Sequence, residues 1–218
     1  MSISAPIRGM RNVEGQLFVV AGNSLFEVGE NSINRGTIPG LGRVSMDYNQ
    51  VAGGNQLAID NGDSRYVYNT ADQSFTRVTD EGFPGSFSAE FLDGYILGVE
   101  PFGRYFFWSD LADALSYNTL DRAQAEARPD PIIAMKVFNR EVWLFGRDTT
   151  EIYANTGELT GTFQRVGGAV LNVGCAGRFA VARSNAGLFW LGGDGRIYSA
   201  QGYSPQAIST PPIEQAIR

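Results

Sequence analysis

The chain has 218 residues and no histidine. That removes Ser-His-Asp and Cys-His catalytic arrangements and every zinc site built on imidazole. Cysteine occurs once, at Cys175, so no internal disulfide can form, and multi-cysteine zinc or iron–sulfur sites are excluded. Cys175 lies beside Ala176 and close to Val173 and reads as a small buried hydrophobe rather than a reactive thiol. Nowhere is there an apolar run of about 18 residues, and residues 1–10 carry Arg8 without a continuous apolar stretch, so neither a membrane span nor an export signal is expected. Cytoplasmic production fits. Basic clusters are missing as well: 17 Lys and Arg stand against 23 Asp and Glu, a net charge of −6. Displacing counterions from a phosphate backbone needs clustered cations, so no specific nucleic-acid site is expected.

What the chain does have is a repeat. An apolar strand, a turn of Gly, Asn or Asp, and a second apolar strand return five times. The first members of these pairs are anchored at Leu17, Leu57, Ile96, Val142 and Leu188, and the second members at Leu25, Tyr66, Tyr105, Ile152 and Ile197. The steps between first anchors are 40, 39, 46 and 46 residues. A period of roughly 40–50 residues with several strands per unit marks a β-propeller, in which each blade buries its faces against its neighbours. The 27 glycines suit many short strands joined by tight turns. We therefore expect an all-β chain, a single propeller-like domain over residues 1–218, built from about five four-stranded antiparallel blades.

Reading each unit in full, the first takes strands around residues 6–10, 16–21, 24–28 and 33–38. The second takes 43–48, 56–59, 65–68 and 74–78. Asp60-Asn61-Gly62-Asp63 connects its central hairpin, because Asn-Gly supplies the positive φ that such a turn requires. The third uses 86–91, 95–99 and 105–109, turning through Asp93-Gly94. Over residues 110–128 the pattern changes to one that suits one or two short helical turns, ended by Pro129 and Pro131; an inserted loop of about 110–130 is expected. The fourth unit reads 132–138, 141–145, 151–153 and 162–166, and the fifth 170–173, 179–182, 187–191, 196–200 and 206–208. After Pro211 and Pro212, residues 213–218 read as the start of a helix.

Paired carboxylates are the remaining catalytic option, since two Asp or Glu residues suffice for glycoside hydrolysis. Asp47, Glu90, Asp110, Glu141 and Glu151 are the candidates, yet most stand where turns or solvent faces favour acids. The sialidase Asp-box is approximated only at residues 184–190, without its aspartate and with the wrong Ser-to-Trp spacing. Asp60-Asn61-Gly62-Asp63 lacks the downstream acid of a calcium loop. Gly40-Leu41-Gly42-Arg43 has no strand-to-helix context, and Gly192-Gly193-Asp194-Gly195 reads as a hairpin turn, so neither cradles a phosphate. Tyr105-Phe106-Phe107-Trp108 would stack on bases or sugars only if all faced outward, and strand alternation sends half of them into the core. No catalytic residue, metal ligand or cofactor site is expected.

Several longer phrases are more specific: FFWSDLADA at 106–114, ARPDPII at 127–133, TEIYANTG at 150–157, AQGYSPQAISTPPIEQAI at 200–217, and the earlier GRVSMDYN at 42–49. In this order and spacing they resemble the phage stabilisation family, the packaged-DNA stabilisation or tail-accessory proteins of short-tailed phages. The resemblance implies a non-enzymatic virion protein made in the host cytoplasm and assembled beneath the portal after packaging. It implies a homo-hexameric ring that contacts portal or adaptor proteins and tail-needle or tail proteins and helps keep the genome in. Family members continue well past the segment like 213–218, so it also implies at least one further blade's worth of chain and a propeller incomplete at its C-terminal side. The alternative from composition and fold alone is a carbohydrate-binding or glycoside-hydrolysing propeller, or a scaffold for another partner.

Overall fold

A computed structural model describes residues 4–217; Met1–Ile3 and Arg218, the last residue of the expected C-terminal helix, lie outside the described residues. The described residues are all-β apart from one short helix. Twenty strands form five four-stranded antiparallel sheets in sequence order. The first blade is β1 (Ile7–Val13), β2 (Gln16–Ala21), β3 (Ser24–Val28) and β4 (Ile33–Thr37). The second is β5 (Ser45–Tyr48), β6 (Gln56–Asp60), β7 (Arg65–Asn69) and β8 (Phe75–Arg77). The third is β9 (Glu90–Leu92), β10 (Tyr95–Val99), β11 (Tyr105–Trp108) and β12 (Arg122–Gln124). The fourth is β13 (Ala134–Phe138), β14 (Glu141–Phe145), β15 (Thr150–Asn155) and β16 (Phe163–Leu171). The fifth is β17 (Val181–Ser184), β18 (Gly187–Leu191), β19 (Ile197–Gln201) and β20 (Ser204–Ala207), followed by helix α1 (Pro211–Ile217).

The polypeptide packs as two compact units. Unit 1 comprises Met1–Pro101 with Phe107–Arg122, and unit 2 comprises Phe102–Phe106 with Ala123–Arg218. Within unit 1 the first strands β1, β5 and β9 run beside one another. Val13, Phe18, Val20 and Leu25 of the first blade pack on Tyr48, Leu57, Ile59 and Tyr68 of the second. The opposite face of the second blade, with Ala58 and Val67, packs on Ala89, Ile96 and Phe107 of the third. All of β6 is therefore buried, which is why Gln-Leu-Ala-Ile-Asp shows no alternation: both faces of a middle blade are covered. Within unit 2, β13 and β17 are neighbours. Trp143, Phe145 and Ile152 of the fourth blade pack on Leu188, Trp190 and Tyr198 of the fifth.

Turn chemistry follows the sequence closely. Asn139 and Arg140, with φ of 51° and 61°, make the two-residue turn between β13 and β14, as the right-handed twist of a hairpin requires. Gly174 is needed for a different reason, because a Cβ there would lie 2.2 Å from the Arg147 carbonyl group.

Three expectations change. Residues 110–121 make turns rather than helical turns. Gln56 accepts from the Ala114 amide at 2.8 Å and the Asp113 carboxylate accepts from Leu115 at 2.9 Å. These tertiary and local bonds replace the helical ladder and bury Ala114 and Tyr117 against the core of unit 1. Beyond them Arg122–Gln124 completes the third blade. The strand expected at 170–173 does not open the fifth blade: Val170 and Leu171 end β16, paired with Glu151 and Thr150 after a register shift. Finally, the helix starts at Pro211 rather than 213, since proline is tolerated in a first turn whose amides have no helical partner.

Candidate functional site

Arginines do much of the polar joining in unit 1. Arg8 on β1 is 4% exposed and donates to the carbonyls of Gly42, Gly22, Ile38 and Pro39 at 2.7–3.2 Å. It thereby fixes the link between the first two blades, and burial lowers its pKa from the ordinary arginine value. Arg11, also on β1, pairs with Asp47 on β5. The second Asp47 oxygen accepts from the Phe91 amide on β9 at 2.8 Å, so one carboxylate joins three neighbouring first strands.

Asp60 and Arg65 form an ion pair in which both side chains are fully buried. They face one another across the β6–β7 hairpin in a two-point pair, Nε to Oδ1 and Nη2 to Oδ2, each 2.7 Å. Arg65 also donates to the Tyr117 hydroxyl at 2.7 Å and to the Leu97 carbonyl at 2.9 Å. Its guanidinium lies 5.5–5.9 Å from the ring centres of Phe83, Phe107 and Tyr117. Burial opposes its charge, but Asp60 and then Tyr117 outweigh that, leaving its pKa above the ordinary value. Burial pushes the Tyr117 hydroxyl up to about 12, with Arg65 pulling the other way. Asp60 thus belongs to a strand end and an ion pair, and the turn proper is 61–64. There the Asn61 side chain accepts from the Ser64 amide at 3.1 Å.

The other carboxylate candidates are dispersed. Glu90 is buried on β9. Asp110 is exposed and accepts from Ser116 at 2.6 Å. Glu141 and Glu151 share the fourth blade but not a face: Glu141 stands on the Trp143 side, and Glu151 stands beside Leu144 on the other. Glu151 accepts from the Ala127 amide at 2.9 Å and pairs with Arg165 at 3.3 Å. These two acids therefore do not form a glycosidase pair across one pocket. Of Tyr105-Phe106-Phe107-Trp108, only Tyr105 is partly exposed. Phe107 meets Phe83 and Tyr117 in unit 1, and Phe106 meets Tyr153 and Phe163 in unit 2. These rings are core. Among the described residues no group of three or more Asp, Glu, His or Cys is placed to hold a metal, and no helix is long and apolar enough to cross a membrane.

Open space is found between adjacent blades within each unit. In unit 1 a cleft of about 400 Å³ is lined by Gln16, Phe18, Glu27, Arg35, Tyr68 and Gln73 among others. In unit 2 a larger one of about 690 Å³ is lined by Phe138, Glu141, Trp143, Asn185, Ala200 and Tyr203 among others. Trp143 forms buried wall there, whereas Tyr203 is 42% exposed and donates its hydroxyl to Glu141. That bond is the main cause pushing the Tyr203 pKa up. Sequence reading named Glu141 as an acid but missed Tyr203, whose place after Gly202 in the β19–β20 turn is the signal that could have found it. It also missed Arg65, whose signal is an acid and a base flanking the four-residue turn 61–64 that holds Asn-Gly.

Within each unit, successive four-stranded antiparallel blades pack face to face with their first strands side by side, the arrangement of a β-propeller protein. The chain belongs to the phage stabilisation family, described as bacteriophage P22 Gp10, β-propeller, which matches residues 2–218. It is thus a member of a family of phage structural β-propeller proteins. No curated protein matches the sequence. Solved structures with similar folds include PorZ of Porphyromonas gingivalis, a bacterial surface component of the type-IX secretion system, at 17% identity and a TM-score of 0.57. That likeness covers 93% of this chain and 28% of PorZ, so the chain spans little more than a quarter of that protein. YCF48 from Cyanidioschyzon merolae is similar at 12% identity and a TM-score of 0.64, over 98% of this chain and 74% of that one. The Pan2 WD40 domain of Neurospora crassa is similar at 9% identity and a TM-score of 0.58, over 94% and 66%. At such identities the likeness is one of fold alone.

Proposed function

We propose that this chain is a non-enzymatic structural protein of the phage virion, a tail-accessory or head-completion factor that helps seal the portal and retain packaged DNA. The observation that carries this reading is family membership over residues 2–218. Its working form is a homo-hexameric ring at the portal vertex, held by protein–protein contacts to portal or adaptor proteins and to tail-needle or tail proteins. The chemistry described above is consistent with that role. Arg8, Arg11 and Arg65 each satisfy acceptors inside the fold, and the net charge of −6 disfavours gripping DNA directly.

A phage lacking this gene is expected to fill heads that then lose their DNA. Nuclease sensitivity of the packaged genome should rise sharply, and supplying the chain in trans should restore protection. Full retention of nuclease-resistant genomes in the deletion phage would overturn the proposal.

A further inference from the structure

The two clefts occupy equivalent places in the repeat. Gln16 and Glu141 each open the second strand of the leading blade, and Phe18 and Trp143 stand two residues further on. On the following blade Tyr68 and Ala200 are each the fourth residue of the third strand. In unit 1 the space is narrowed from within. Arg35 pairs with Glu27 at 2.7 Å, donates to Gln73 at 2.8 Å and lies 5.8 Å over the Tyr68 ring. In unit 2 the position opposite Trp143 across the sheet is Ile152, where unit 1 has Glu27 opposite Phe18. Alanine replaces Tyr68, and no lysine or arginine is among the described residues lining the cleft. What the larger cleft keeps is an aromatic wall and a carboxylate, now supplied by Trp143, Tyr203 and Glu141.

We infer that the unit 2 cleft takes an arginine side chain presented by a partner protein, as the unit 1 cleft takes its own Arg35. A guanidinium is planar, so it can lie along the Tyr203 ring while its N–H groups meet Glu141 and the amide oxygens of Asn139 or Asn185. The Glu141 carboxylate accepts from Tyr203, which orients it and leaves further lone pairs for such a donor. A lysine offers a single ammonium point rather than a fork, and a neutral sugar leaves the carboxylate without a counter-charge. The chemistry of the cleft stands by itself; that the arginine comes from another virion protein rests on the reading in the preceding section.

The test is a titration of the ¹⁵N-labelled full chain with capped Gly-Arg-Gly, with its citrulline and lysine counterparts, and with maltotriose. The amide signals of Gly202 and Tyr203 should shift saturably with the arginine peptide, with a Kd on the order of 1 mM. Glu141→Gln should weaken that binding about tenfold or more. Tyr203→Ala, which removes the ring along which the guanidinium lies, should weaken it likewise, read at the Gly202 amide. Absence of a saturable shift, equal binding of the citrulline peptide, saturation by maltotriose in place of arginine, or undiminished binding by Glu141→Gln would each overturn the assignment. A deletion phage that loses its DNA while the chain ignores arginine would remove the cleft assignment and leave the virion role standing.

Discussion

Replacing Arg65 with methionine is expected to cost about 3–5 kcal/mol of unfolding free energy, because the Asp60 carboxylate would stay buried without its partner. Both groups are wholly removed from solvent, so water cannot take the place of the guanidinium without opening the blade interface. The pair itself contributes little over an apolar substitute, since desolvation offsets most of the attraction. Asp60→Leu combined with Arg65→Met should therefore recover much of the loss, and equilibrium denaturation of the two variants separates the two claims. A single variant that unfolds at the wild-type denaturant midpoint would show that Asp60 finds another partner. The same cluster sets an alkaline limit. The Tyr117 hydroxyl, ordinarily at 10.0, is raised to about 12 in the fold. Its contribution is thus full below pH 10 and is lost as pH rises towards 12. Tyr117→Phe should flatten that part of the stability profile.

In unit 2 the largest effect should come from Trp190→Ala, at about 3–5 kcal/mol. Trp190 is 1% exposed, with ring centres of Phe145 and Tyr198 at 5.5 and 5.7 Å. Its cluster includes Leu188, Ala134 and Ile152. Truncation leaves a cavity on the face where the fourth and fifth blades meet, and β-sheet backbones on both sides limit collapse into it. Trp190→Phe keeps a ring in the same slot and should cost much less. Denaturation curves in which alanine and phenylalanine cost the same would mean that the interface does not depend on filling this volume.

The blades are legible in sequence because their hairpins are. Leu17, Leu57, Ile96, Val142 and Leu188 each fall on the second residue of the second strand of a blade, so the period reports a real structural phase. Turns were legible where chemistry forces them, as at Asp93-Gly94, with φ of 50° and 93°. Strand β12 was not, because Arg122-Ala123-Gln124 is too short to alternate and is positioned by its neighbour β11. Asp60 was misplaced for a clear reason: an acid before Asn-Gly is what a turn favours. Only the fold brings Tyr117 and Leu97, 52 and 32 positions from Arg65, onto its guanidinium. The unit 2 cleft was illegible likewise, since what sets it apart from the unit 1 cleft includes Ala200 standing where the second blade has Tyr68. That comparison needs the strand register.

The central claim, a structural protein of the portal vertex, is tested most directly by localised reconstruction of that vertex in purified virions. The account predicts density for this chain's blades as a hexameric ring beneath the portal, in contact with adaptor and tail proteins. A vertex complete without it, with the chain recovered from the lysate only as a free protein, would contradict the account.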